Sequence, residues 1–188
     1  MSEREQPWKP TKADLAAAAG KTVADVIAPD LRVLFVGINP GLYTAAIGHH
    51  FGRPGNRFWP VLQRSGFTSR QLSPFEEHEL LTLGLGITNI VPRASATAAE
   101  LTSAELRAGA QQLQDKVCGC QPRFVAFVGM QAYRIAFGRP KANVGPQPET
   151  ICRARLWVLP NPSGLQAHYQ MPALIQLFGQ LREAALDG

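Results

Sequence analysis

The sequence predicts an α/β fold, a three-layer α/β/α sandwich around a central, mainly parallel sheet. Three observations carry this expectation. Short apolar runs alternate along the chain with stretches of helical periodicity. The runs are rich in β-branched and aromatic residues and lack an alternating polar face, as strands buried on both sides do. Polar turns bearing Asn39, Asn89 and Asn161 follow three of the runs. A parallel sheet gathers such turns at one edge, where open α/β sheets place their ligands.

Residues 1–25 read as an N-terminal arm and 26–188 as the domain. Thr11-Lys12-Ala13-Asp14 has the form of a capping box, and Leu15 to Ala19 is helix-prone. Ala18-Ala19-Gly20-Lys21-Thr22 imitates the end of a phosphate-binding loop. Leu15 stands where that motif needs its first Gly, and no strand precedes it, so the nucleotide-loop reading fails. Arg32 to Val36 is a buried strand that ends in the turn Gly37-Ile38-Asn39-Pro40-Gly41-Leu42. Gly41 to Gly55 is too rich in Gly, Pro and His for regular structure. Asn56 is expected to cap a helix that buries Phe58, Trp59, Val61 and Leu62. Ser73-Pro74-Phe75-Glu76 opens another, running to about Leu83. Gly86 to Val91 is a second strand, and Thr102-Ser103-Ala104-Glu105 boxes the start of a long helix. Arg123 to Gly129 is a third strand, followed by a helix from Gln131 to Phe137. Arg139 to Glu149 reads as a Pro/Gly-rich loop. Leu156 to Leu159 is a fourth strand, and Pro172 opens a last amphipathic helix.

The 188 residues suffice for one domain with a proper core, not for two. A hydrophobic content of 45% with 18% charged residues suits a globular protein. No run is long enough to span a bilayer, and Met1-Ser2-Glu3-Arg4-Glu5 lacks the start of a signal peptide. The chain is expected to be a cytoplasmic monomer that makes no membrane contact. Its net charge of +5 favours a polyanionic partner. Cys118, Cys120 and Cys152 are an odd set, expected to be reduced structural thiols. No metal is expected: three cysteines cannot hold a four-thiolate cluster, and the adjacent His49 and His50 have no nearby carboxylate to complete a site.

Gly37 to Leu42, Gly48-His49-His50-Phe51, Gly55-Asn56-Arg57-Phe58-Trp59 and Asn161-Pro162-Ser163-Gly164-Leu165 stand in a fixed order between those strands. Together they resemble the mismatch-specific uracil/thymine DNA glycosylases of the uracil-DNA glycosylase superfamily. The likeness runs from about Val26 to Leu186. It implies removal of uracil, or thymine, from a pair with guanine in double-stranded DNA, without a cofactor and within base excision repair. A base inside a duplex is out of reach, so such an enzyme flips it into a pocket.

The resemblance distributes the work. Asn39 takes the catalytic position and holds the attacking water. Its amide has no titrating acceptor near neutral pH, so bond breaking must run ahead of attack. Phe51 stacks on the flipped pyrimidine, and Ile38 lends its backbone to the base edge. Thr44 lies towards the pyrimidine C5. Asn89 faces the pocket in a role left open. His50 either stabilises charge on the departing base or is a strut of its loop. Leu165 is the wedge that fills the vacated space, with Gly164 and Gln166 beside the widowed guanine. Gln166 departs from the small polar residue of the bacterial relative. Phosphate contacts fall to Arg53, Arg57, Arg139, Lys141 and Ser163; Lys9, Lys12 and Lys21 either join them or are ordinary solvated charges. No motif offers a Schiff-base lysine, so the reaction is expected to be monofunctional. A non-catalytic lesion-binding protein and a nucleoside hydrolase are the competing readings.

Overall fold

The computed structural model describes residues 8–165 and 168–186. Val33, Leu34, Phe35 and Val36 are each 1% exposed or less, which explains their continuous apolar run. They form β1 (Val33–Gly37), the hub of a five-stranded sheet with β2 (Leu85–Asn89), β3 (Phe124–Val128), β4 (Gly145–Ile151) and β5 (Ala154–Leu159). The order is β2-β1-β3-β5-β4. All neighbours are parallel except the β4–β5 hairpin. Alternate β1 residues face opposite layers. Val33 and Phe35 pack with α3 (Phe58–Arg64), α4 (Glu79–Thr82) and α7 (Met171–Leu186). Leu34 and Val36 pack with α5 (Ser103–Cys120) and α6 (Met130–Ala136). Among the described residues no helix is long and apolar enough to cross a membrane.

Three expectations change, and the N-terminal segment gains a packed place. The segment expected as a loop before Glu149 contains β4, an antiparallel edge strand in which Pro146 and Pro148 are tolerated because an edge leaves donor positions unpaired. The helix expected from Ser73 to Leu83 breaks into a 3₁₀ turn (Pro74–Glu76) and α4, because Glu77 between them turns inward and is 2% exposed. The described part of the expected arm is packed on the domain. Its helix α1 (Lys12–Ala17) lies beside α2 (Leu42–Ile47), Ala18 and Val23 bury against Ala45 and Ala94, and Val26 bridges to Ile87. Finally, Cys118 on α5 is disulfide-bonded to Cys152 in the β4–β5 turn, with Cα atoms 5.6 Å apart, leaving Cys120 as a buried thiol. Distance along the chain hid this pair: its partners lie 34 residues apart.

Asn56 caps the start of α3 one residue earlier than a formal cap, its Oδ1 accepting the Phe58 N–H at 2.9 Å.

Candidate active site

The chain leaves β1 for β2 on one side and returns through α5 to β3 on the other. That makes the carboxyl ends of β1 and β3 the switch point of the sheet. A cavity of about 150 Å³ opens there. It is lined by Ile38 and Asn39 after β1, Asn89 at the end of β2, Val128 at the end of β3 and Asn161 after β5, with Thr44, His50, Phe51, Arg53 and Ser163 closing its sides. A depression of about 130 Å³ at the opposite edge, between Arg32, Phe67 and Arg182, gathers none of these strand-end polar groups.

Asn39 is held by its nitrogen. Nδ2 donates to the Arg93 carbonyl at 3.0 Å and to Ser95 Oγ at 2.8 Å, and that hydroxyl donates onward to the Thr97 carbonyl at 2.7 Å. A backbone carbonyl only accepts, so the NH₂ must face Arg93. Oδ1 makes no hydrogen bond among the described residues and is the group left for the cavity. It can accept one hydrogen of a water and so turn the water's lone pairs elsewhere. Arg93 and Ser95 escaped the sequence reading because they sit 54 and 56 residues away. Their one sequence signal was the polar loop after the second strand.

Phe51 stacks on Phe58 with ring centroids 3.9 Å apart and planes at 19°. Its backbone sits at φ 51°, a left-handed conformation unusual for an aromatic residue. The loop before it is pinned throughout. Glu77 accepts the His50 N–H at 2.8 Å and pairs with His49 Nδ1 at 2.9 Å. Trp59 Nε1 donates to the His50 carbonyl at 3.2 Å, and Thr44 Oγ1 accepts the Gly52 N–H at 3.1 Å. Glu77, like Arg93, was absent from the sequence reading.

His50 is 1% exposed. Its Nε2 lies 2.9 Å from the Ala24 carbonyl, which can only accept, so Nε2 carries the proton. Burial pushes the imidazole below its ordinary value, against the opposing pull of the Ala24 carbonyl and the charges of Glu77 and Asp25. The ring is therefore neutral, with the Nδ1 lone pair 3.4 Å from Asn89 Nδ2. That contact fixes which way the Asn89 amide points. Gly37 is glycine for the same amide: a Cβ there would lie 2.5 Å from Asn89 Oδ1. Beside it, the Ile38 carbonyl accepts the Val91 N–H at 2.9 Å, which fixes the main chain at the slot.

Leu165 is 73% exposed, the most exposed large apolar side chain among the described residues. Its loop is shaped from beneath by Arg57, which donates to the carbonyls of Pro162 (3.2 Å), Ser163 (2.8 Å) and Tyr169 (2.6 Å). Arg57, expected at a phosphate, clamps this loop. Arg139 likewise pairs with Glu149. Gly164 lies against the other loop, where an added Cβ would come 2.7 Å from the Gly55 carbonyl. Arg53 and Ser163 flank both the cavity and the neighbouring hollow beside Leu165. Lys141 is exposed in the α6–β4 connection and lines neither. Gln166 lies outside the described residues.

The fold and its crevice define a class: an α/β domain with a small slot at the carboxyl edge, walled by one aromatic ring and carboxamides of fixed orientation. Residues 24–184 match the uracil DNA glycosylase superfamily, and the chain belongs to it. Membership implies hydrolysis of an N-glycosyl bond in DNA and a place in base excision repair.

Proposed function

We propose that the protein is a monofunctional, mismatch-directed uracil-DNA glycosylase that removes uracil paired with guanine. The observation that carries this reading is the Asn39 amide, tied by its nitrogen with its oxygen left for the slot that Phe51 walls. The pyrimidine stacks on the face of Phe51 away from Phe58. Asn89, oriented by neutral His50, offers one donor and one acceptor to the base edge. Uracil's O4 and N3–H match that pair, whereas cytosine presents the reversed pattern. The glycosidic bond stretches first, leaving an oxocarbenium-like sugar. The base takes the bonding electron pair and departs as its anion; water on Asn39 Oδ1 then adds to the sugar carbon, and the proton this water loses balances the one the base anion takes up. With no general base the step forgoes a factor of about 10²–10⁴. Leu165 fills the gap in the stack, and Gly164 and Gln166 meet the widowed guanine. Arg53, Ser163 and Lys141 are the phosphate contacts kept in this reading.

Asn39→Ala tests it: duplex binding is retained and single-turnover release of uracil from G·U DNA falls at least about a hundredfold. Parental excision by that variant refutes the mechanism. A parallel panel of A·U, G·T and single-stranded uracil substrates measures the mismatch preference. A protein that binds G·U duplex but releases no base from any substrate is a lesion-binding protein instead.

A further inference from the structure

We infer that Glu77 is a positioning residue for base excision, acting through the His49–His50 peptide to set the ring of Phe51. The inference rests on the proposed function, because Phe51 matters only if a base stacks on it.

Carboxylates are seldom fully buried unless they are paired. Glu77 is 2% exposed, and its carboxylate makes hydrogen bonds to one short loop. One oxygen holds the His50 N–H, and the other holds His49 Nδ1. Trp59 holds the carbonyl of the same His50 residue. Both polar groups of the His50 main chain are thereby fixed just before the left-handed Phe51. With that chain fixed, the Phe51 ring is delivered flat onto Phe58. Glu77 itself does not line the cavity. Its hydrogen bonds reach the site through the loop, and its charge acts on His50 in that loop.

The charged and titratable groups around this arrangement are His49 and His50 on the loop, Glu77, and Asp25 from the N-terminal segment, which is paired with Lys116. A glutamine at 77 can reproduce both contacts, its oxygen accepting the His50 N–H and its NH₂ facing His49 Nδ1 as a donor.

The experiment compares the parental protein, Glu77→Ala and Glu77→Gln in single-turnover uracil release from G·U duplex, with amide hydrogen exchange over residues 49–52. Glu77→Ala is expected to slow excision roughly ten- to hundredfold, as an ångström-scale misplacement does, with duplex affinity unchanged and faster exchange at His50. Glu77→Gln, which can remake both contacts, is expected near parental in excision and in exchange. A folded Glu77→Ala protein with parental excision overturns the inference. So does a folded Glu77→Gln protein that keeps parental exchange over residues 49–52 yet loses excision, which stands as a test even if the alanine variant does not fold. If the parental protein releases no base, the proposed function falls, and the exchange contrast between the two variants alone decides whether Glu77 positions the loop.

Discussion

An aspartate at position 39 would at first sight improve the enzyme, since a carboxylate can act as a general base. The structure argues the reverse. Asn39→Asp replaces the NH₂ that donates to the Arg93 carbonyl at 3.0 Å with an oxygen. Ser95 can adapt, because its hydroxyl can turn from Thr97 to the new carboxylate. The Arg93 carbonyl cannot adapt, having no proton to give. Losing that bond and setting two acceptors face to face costs about 1–3 kcal/mol. Once protonated, the introduced carboxyl group escapes the conflict by donating to Arg93, so its folded-state pKa rises above the ordinary aspartate value of about 3.9. The sign follows from linkage. Below about pH 4 both states hold the proton and the variant is nearest parental stability. As pH rises towards the folded-state value the unfolded chain ionises first, stability is lost, and it stays lost at neutral pH. With roughly 2–4 °C of Tm per kcal/mol for a chain of this size, melting at pH 7.5 should drop by about 5 °C, and less at pH 4.5. Excision should not exceed the parental rate, because the carboxylate must leave the place of the amide to avoid Arg93. Differential scanning fluorimetry across that pH range and single-turnover assays test both halves. An Asn39→Asp protein that excises faster at parental Tm refutes the anchored-amide argument.

Gly37→Ala should leave Tm within about 2 °C yet lower excision roughly ten- to hundredfold, since the Asn89 amide must retreat by about an ångström; parental kinetics would show that the amide has room to spare. Leu165→Ala removes an exposed side chain, so Tm should hold. Release from G·U duplex should fall about tenfold while single-stranded uracil is processed as before, because only a duplex leaves a gap to fill. Equal loss on both substrates would deny the wedge. Reducing the Cys118–Cys152 bond, or making Cys152→Ser, releases a loop spanning 34 residues. By loop entropy this costs about 3–4 kcal/mol, and the melting temperature should fall correspondingly. A melt unaffected by reductant, or three titratable thiols in denaturant without reductant, would contradict the bond.

Four strands were legible because segments buried on both faces are mostly apolar, as β1, β2, β3 and β5 are apart from Thr88, Asn89 and Arg155. The edge strand β4 was not: Gly-Pro-Gln-Pro-Glu-Thr-Ile carries the marks of a loop, and its place beside β5 follows from the hairpin rather than from its own composition. Asn39, Phe51, Asn89 and Leu165 could be picked out because their neighbours form recognisable turns. Their supports could not. Arg93, Ser95 and Glu77 act across 27 to 56 residues of chain, and nothing in a local pattern marks a side chain that braces a distant loop. Arg57 shows the converse: a basic residue in a glycine-rich stretch suggests surface charge, and the structure adds a second role, donation to three carbonyls.

That guanidinium has a consequence for how damage is sought. It sits at the start of α3, the helix that supplies Phe58 beneath the aromatic wall, and it grips the main chain leading to the leucine tip. Probe and receptacle are thereby cast as one piece. In the proposed reaction neither can travel far towards the other, so the duplex must do the yielding. A weak pair opens at least cost. Discrimination then begins in the mechanical softness of the DNA, before any atom of the base is touched.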